Sequence, residues 1–257
     1  MATSWYPHHM KRTCEEIKKY SQIVDVFLFL MDARAPQTSL YPEFIPDKEK
    51  IVLGLNKSDL VDPEAIDKII KRYKREYRIF PLNSMRRDSC RRLISGVRVD
   101  FRKKILYIMV VGLPNVGKSM FIRNLSGKKV KVGAEAGVTT QVSWLSCIEG
   151  VRLADTPGVL FPRIESDEVY ARLCLINAVG ERMMDYEKAG RWLLSFLTSH
   201  PERFHQRYGF EPGTAAEENI PGICDRMGLK PGDEKMFKLM VRDFQQGRFG
   251  KLVLDAE

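Results

Sequence analysis

The stretch "GLPNVGKS", Gly112 to Ser119, has the spacing GxxxxGK[ST] directly after the apolar run "ILYIMVV". Each part suits phosphate chemistry. The glycines let the backbone curl, so that the N–H groups around Asn115, Val116 and Gly117 face phosphate oxygens. Lys118 carries the charge to neutralise β- and γ-oxygens, the Ser119 hydroxyl suits Mg²⁺, and a helix opening near Lys118 points its positive dipole at the anion. About forty residues on, "LADTPG" places Asp155 at the end of an apolar segment. A carboxylate there holds Mg²⁺ through water, and the Gly158 N–H reaches the γ-phosphate. Between them, "AGVTTQ" offers Thr139, or after it Thr140, to complete the Mg²⁺ shell.

A second group reads the base. "LGLNKSDL" ends an apolar run in Asn56-Lys57-Ser58-Asp59. The Asp59 carboxylate can accept from N1–H and the 2-amino group of guanine. Adenine offers neither, which weighs against an ATPase. Asn56 would brace the loops and the Lys57 stem would lie on the base. "PLNSM" adds Asn83 and Ser84, the Ser84 N–H being expected to donate to guanine O6. All of this implies GTP or GDP as ligand. The base-reading residues precede the phosphate loop, the reverse of the usual order.

These residues need elements to hold them. Apolar runs at Val24–Met31, Ile51–Leu55, Ile79–Leu82, Ile105–Val111, Val142–Ile148 and Val151–Ala154 predict strands. Helical stretches are expected at Lys11–Ser21, Pro63–Glu76, Arg87–Lys103 and Lys118–Ser126, so the pattern is α/β. Glu149-Gly150 reads as a hairpin turn, which puts one antiparallel strand at the sheet edge. Beyond Leu160 the pattern turns helical, over Ser166–Val179, Asp185–Ser199, Thr214–Arg226 and Asp233–Gln246, with Ser166 and Asp185 as N-caps. No strand is expected before the closing "KLVL". The expected domains are 1–165, a sheet flanked by helices, and 166–257, a small all-helical domain.

The chain has 257 residues and a net charge of +9. Between Lys71 and Lys104 lie thirteen Lys or Arg against three acids, a surplus of ten that exceeds the whole chain's. A polyanion-binding surface is the sharper reading and a solvated helix face the plainer one. Five scattered cysteines without a CxxC pair suggest reduced thiols and no zinc site. No apolar run is long enough for a membrane span and no secretory signal stands at the N-terminus, so a cytoplasmic protein is expected, with no membrane partner.

With base loops, phosphate loop, threonine loop and DTPG in this order, the chain resembles the circularly permuted GTPases, and within them the YlqF/RbgA type. "WYPHHM", "MDARAP", NKSD, GLPNVGKS, GVTTQ, DTPGVLFP, "PERFHQRYG" and "VRDFQQGRFGKL" carry the resemblance. It implies a circularly permuted P-loop GTPase sheet and GTP hydrolysis during late assembly of the large ribosomal subunit. Pre-ribosomal rRNA is then the polyanion, DNA is not expected, and the helical domain resembles an antiterminator-type RNA-binding module. Where many GTPases place a water-orienting glutamine, this chain has Val159. His9 is the replacement candidate, as a neutral imidazole can orient a water, and the resemblance supports it. Asn115 in a "PNxGKS" loop implies K⁺. The alternative is an RNA-binding protein that senses guanine nucleotide with negligible hydrolysis.

Overall fold

Seven residues from Val26 to Asp32 form a strand in which every side chain is buried, although strand side chains alternate between faces. That pattern requires cover on both sides of the sheet. The computed structural model describes residues 14–15, 17–126, 132–133, 144–156, 164, 166–230, 233 and 235–255. Its strands are β1 (Val26–Asp32), β2 (Ile51–Asn56), β3 (Arg78–Pro81), β4 (Leu106–Gly112), β5 (Val132–Gly133), β6 (Trp144–Ile148) and β7 (Val151–Asp155). They form one sheet in the order β3-β2-β1-β4-β7-β6-β5. The five strands from β3 to β7 in that order are parallel.

β6 runs antiparallel to β7, as the Glu149-Gly150 turn predicts. It is not the edge, however. The two-residue β5 pairs outside it, also antiparallel, and is too short to leave a periodic signal in the sequence.

Helices α1 (Pro63–Tyr73), α2 (Arg87–Phe101) and α3 (Lys118–Ser126) lie between these strands. One face of the sheet, through Val26, Leu28, Leu30, Ile108 and Val110, packs on Cys90, Leu93, Ile94 and Val97 of α2 and on Phe121, Ile122 and Leu125 of α3. α2 is the segment that joins the end of β3 to the start of β4. Its arginines 87, 91, 92 and 98 are exposed while its apolar stripe is buried. Arg102 ends it with a left-handed backbone, φ 46°.

The chain divides into two compact units, Met1–Arg163 with Asp255–Glu257, and Ile164–Leu254. The second unit contains α4 (Asp167–Leu175), α5 (Tyr186–Thr198), α6 (Pro201–Tyr208), α7 (Ile220–Met227) and α8 (Lys235–Gln245). The Ser166 hydroxyl accepts from the Val169 N–H and the Asp185 carboxylate from the Lys188 N–H, so both expected N-caps form. The single helix expected over Thr214–Arg226 is two pieces, a 3-10 turn at Ala216–Asn219 and then α7. Pro221 sits in the first turn of α7, where its missing N–H costs nothing. α6 lies outside the expected helices, although Pro201 at its start and left-handed Gly209 at its end are the usual pair of signals. It is held by the buried Asp243 carboxylate, which accepts from Arg207 of α6 and from Arg248. The "KLVL" tail joins no strand among the described residues, and its Leu252 and Leu254 are buried.

Candidate nucleotide-binding site

Strand register brings the chemistry-bearing residues to one edge of the sheet. Asp32 pairs with Asn56, Leu30 with Gly112, and Val110 with Asp155. The C-terminal ends of β1, β2, β4 and β7 therefore stand side by side, which is where open α/β sheets bind ligands. Segments far apart in sequence meet there because parallel neighbours end level.

The loop after β4 curls through Asn115 at φ 56° and Gly117 at φ 107°. A Cβ at Gly117 would stand 2.3 Å from Asn56 Nδ2 and 2.9 Å from Ser84 Oγ. Only glycine permits this approach of the loop after β4 to the loops after β2 and β3. Asn56 makes the brace. Its Nδ2 donates to the Val116 carbonyl (2.7 Å) and to Ser84 Oγ (3.0 Å), and its Oδ1 accepts from the Ser84 N–H (2.8 Å). The Ser84 N–H, expected to face guanine O6, is thus committed to Asn56. Ser84 is a bracing residue in this geometry, with its N–H turned to Asn56 and not left open for guanine O6. Asn83 is likewise turned to its own loop, its Oδ1 accepting from the Met85 N–H. Asn124 Nδ2 adds a donor to the Ser84 carbonyl at 2.6 Å, an interaction that its place in a helical pattern does not signal.

Lys118 is buried, and its ammonium donates to the carbonyls of Gly112 (3.2 Å) and Leu113 (2.8 Å). Burial pushes its pKa down to about 8, with the nearby Asp155 carboxylate opposing. Ser119 Oγ donates to Asp155 Oδ2 at 2.9 Å. Two hard oxygen donors in contact, one of them a carboxylate, fit Mg²⁺. Thr156 anchors the strand end by donating from Oγ1 to the buried Val110 carbonyl. The Asp59 carboxylate is exposed at the loop tip and has no hydrogen-bond partner among the described residues. His9, Thr139, Thr140, Gly158 and Val159 lie outside the described residues.

One cluster at this edge has no role that the motifs foretell. The Asp32 carboxylate, 1% exposed, accepts from Arg34 Nε (3.0 Å), Arg34 Nη2 (2.8 Å), the Arg34 N–H (3.1 Å) and Lys57 Nζ (2.7 Å). Burial alone would raise its pKa, but the two cations outweigh that and hold it at about 2. Burial also lowers the Lys57 pKa, and Asp32 offsets this. The available signal is "MDARAP", which sets Asp32 and Arg34 two residues apart at the end of an apolar strand.

The family model "50S ribosome-binding GTPase" matches residues 107–190. The chain is 30% identical to ribosome biogenesis GTPase A of Priestia megaterium, over 99% of this chain and 97% of that one. The chain belongs to the ribosome biogenesis GTPase A family. It is a GTPase, a GTP hydrolase on a circularly permuted GTPase fold. It is also 29% identical to the Thermotoga maritima family member, over 97% and 92% of the two chains. To the mitochondrial ribosome-associated GTPase 1 of Bos taurus it is 29% identical, over 98% and 88%. Among solved structures, GNP-bound YlqF from T. maritima is similar in fold, with a TM-score of 0.67 at 24% identity over 94% and 96% of the chains.

Proposed function

We propose that this GTPase acts in late assembly of the large ribosomal subunit, in the cytoplasm, binding precursor rRNA through the basic surface of α2 and through the helical region 166–257. The observation that carries the nucleotide part is the convergence of Asp59, the Asn56 brace, Lys118 and the Ser119–Asp155 pair at one end of the sheet. Asp59 reads the guanine edge, and the Lys57 stem covers one face of the base. Amides of Asn115, Val116 and Gly117 cradle the phosphates, and Lys118 supplies charge to them. Ser119 and Asp155, with Thr139 to complete the set, would hold Mg²⁺, which would supply positive charge at the phosphates. The Gly158 N–H senses the γ-phosphate. His9 orients the attacking water in place of the glutamine that Val159 replaces. Asn115 would help hold a K⁺ ion, which would add positive charge at the phosphates.

GTP turnover with and without large ribosomal subunits tests this reading. Stimulation of about tenfold or more is expected, and His9→Ala abolishes it while GDP affinity stays within about twofold. Unstimulated turnover would favour instead a guanine-nucleotide sensor that binds RNA, a reading that Val159 keeps open. The same assay in KCl and NaCl tests Asn115, since equal rates would remove K⁺ from the mechanism.

A further inference from the structure

Lys57 combines two features that call for an explanation. Its backbone is left-handed, at φ 58° and ψ 31°, a conformation that residues with a Cβ seldom adopt unless their surroundings enforce it. Its side chain spans from this loop to β1, where Nζ meets Asp32 Oδ2 at 2.7 Å. A free lysine side chain has four rotatable bonds and samples many rotamers. Here one end is fixed by the loop and the other by a buried carboxylate.

The carboxylate is itself immobile. Arg34 grips both of its oxygens, so Asp32 Oδ2 is a fixed point. Its backbone N–H is fixed as well, by donation to Ser39 Oγ at 3.0 Å. β1 pairs with both β2, which ends in the base-reading loop, and β4, which ends in the phosphate loop. Asp32 and Asn56 are register partners at the ends of β1 and β2.

We infer that Asp32 is a positioning residue for guanine binding, which holds the Lys57 ammonium so that the lysine stem is a preformed platform for the base. Arg34 supports it by locking the carboxylate. Without the anchor, Lys57 has to be ordered by the nucleotide at the expense of affinity. The inference rests on the reading of Lys57 as the base-covering residue. It assigns Asp32 no contact with the nucleotide.

A double-mutant cycle tests it, with Kd for a fluorescent GDP analogue as readout. Asp32→Asn is expected to weaken binding about tenfold and to raise KM for GTP by a similar factor, with kcat within about twofold. Lys57→Met, which keeps an apolar stem but has no ammonium to anchor, is expected to lose a comparable factor. In the Lys57→Met background Asp32→Asn is expected to cost less than about twofold more. A tenfold effect that persists in that background would mean Asp32 acts on the site by another route, and overturns the inference. So would unchanged affinity in a folded Asp32→Asn protein. If Lys57→Met and Asp59→Asn both leave GDP affinity intact, it is the guanine-site reading that fails. Should Asp32→Asn not fold, Asp32→Asn/Arg34→Gln removes both charges of the buried pair and carries the same cycle.

Discussion

At the scale of single residues, the groups proposed to read the base and those proposed to bind phosphate differ in how they are held. Lys118, Asn56 and Ser84 are buried and hydrogen-bonded to the loops themselves, so their positions exist before any nucleotide arrives. Asp59 is exposed and unpaired among the described residues, which leaves its acceptor oxygens for a ligand. Asp59→Asn is therefore expected to leave the fold intact and to change the preferred base. The amide offers one acceptor and one donor, which suits the N1–H and O2 of xanthine. Competition binding should show preference moving from GDP towards xanthosine diphosphate, by on the order of 10²-fold or more. Unaltered preference would remove Asp59 from base recognition. The residue types and their spacing singled out Asp59, Lys118, Ser119 and Asp155 as candidates in advance. The use of the Ser84 amide was not legible, because which partner an N–H finds depends on a loop 28 residues away.

At the scale of elements, α2 does two jobs with two faces. Its buried stripe closes the core over β1 and β4, and its outward face carries arginines. Asp88 pairs with Arg86 and Arg92, while Arg87 and Arg91 have no carboxylate partner among the described residues. Exposed ion pairs contribute little to stability, so these two arginines are the ones to test for binding without disturbing the fold. Arg87→Glu/Arg91→Glu is expected to weaken binding to large-subunit rRNA. The slope of log K against log salt should fall by about one for each phosphate that the variant no longer neutralises. An unchanged slope would assign α2 to the solvated face that most charge runs are. The helical stretch was visible in the sequence through its period. That it joins β3 to β4 follows from chain order, but that it packs on the same core as the helix after the phosphate loop required the sheet order, which periodicity does not encode.

At the scale of the whole molecule, the chain returns to the first unit at Asp255. Asp255 is buried there, and its Oδ2 accepts from the N–H groups of Gln37 (2.5 Å) and Thr38 (3.1 Å). Its Oδ1 accepts from Thr38 Oγ1 at 2.6 Å. These partners open the single helical turn Pro36–Ser39, and Ser39 in turn bonds to Asp32. A carboxylate at the start of a helical turn satisfies amides that have no partner inside it. Asp255→Ala leaves those donors unpaired, and is expected to destabilise the protein by about 1–3 kcal/mol in urea unfolding. A change within a few tenths of a kcal/mol would show that water replaces the carboxylate at no cost.

Taken alone, the sequence determined the local pattern: a GxxxxGK[ST] loop after an apolar run, the NKSD carboxylate after another, where several helices start, and that the motif order is permuted. These are properties of short stretches, where residue type and spacing constrain the backbone directly. Only the tertiary structure decided how the stretches meet. Parallel pairing ends β1, β2, β4 and β7 level, so Gly117 is brought against Asn56, Lys57 against Asp32, and Ser119 against Asp155. Meetings between residues so far apart along the chain have no period in the sequence. They exist because the sheet buries both of its faces and leaves its polar groups to converge at its ends.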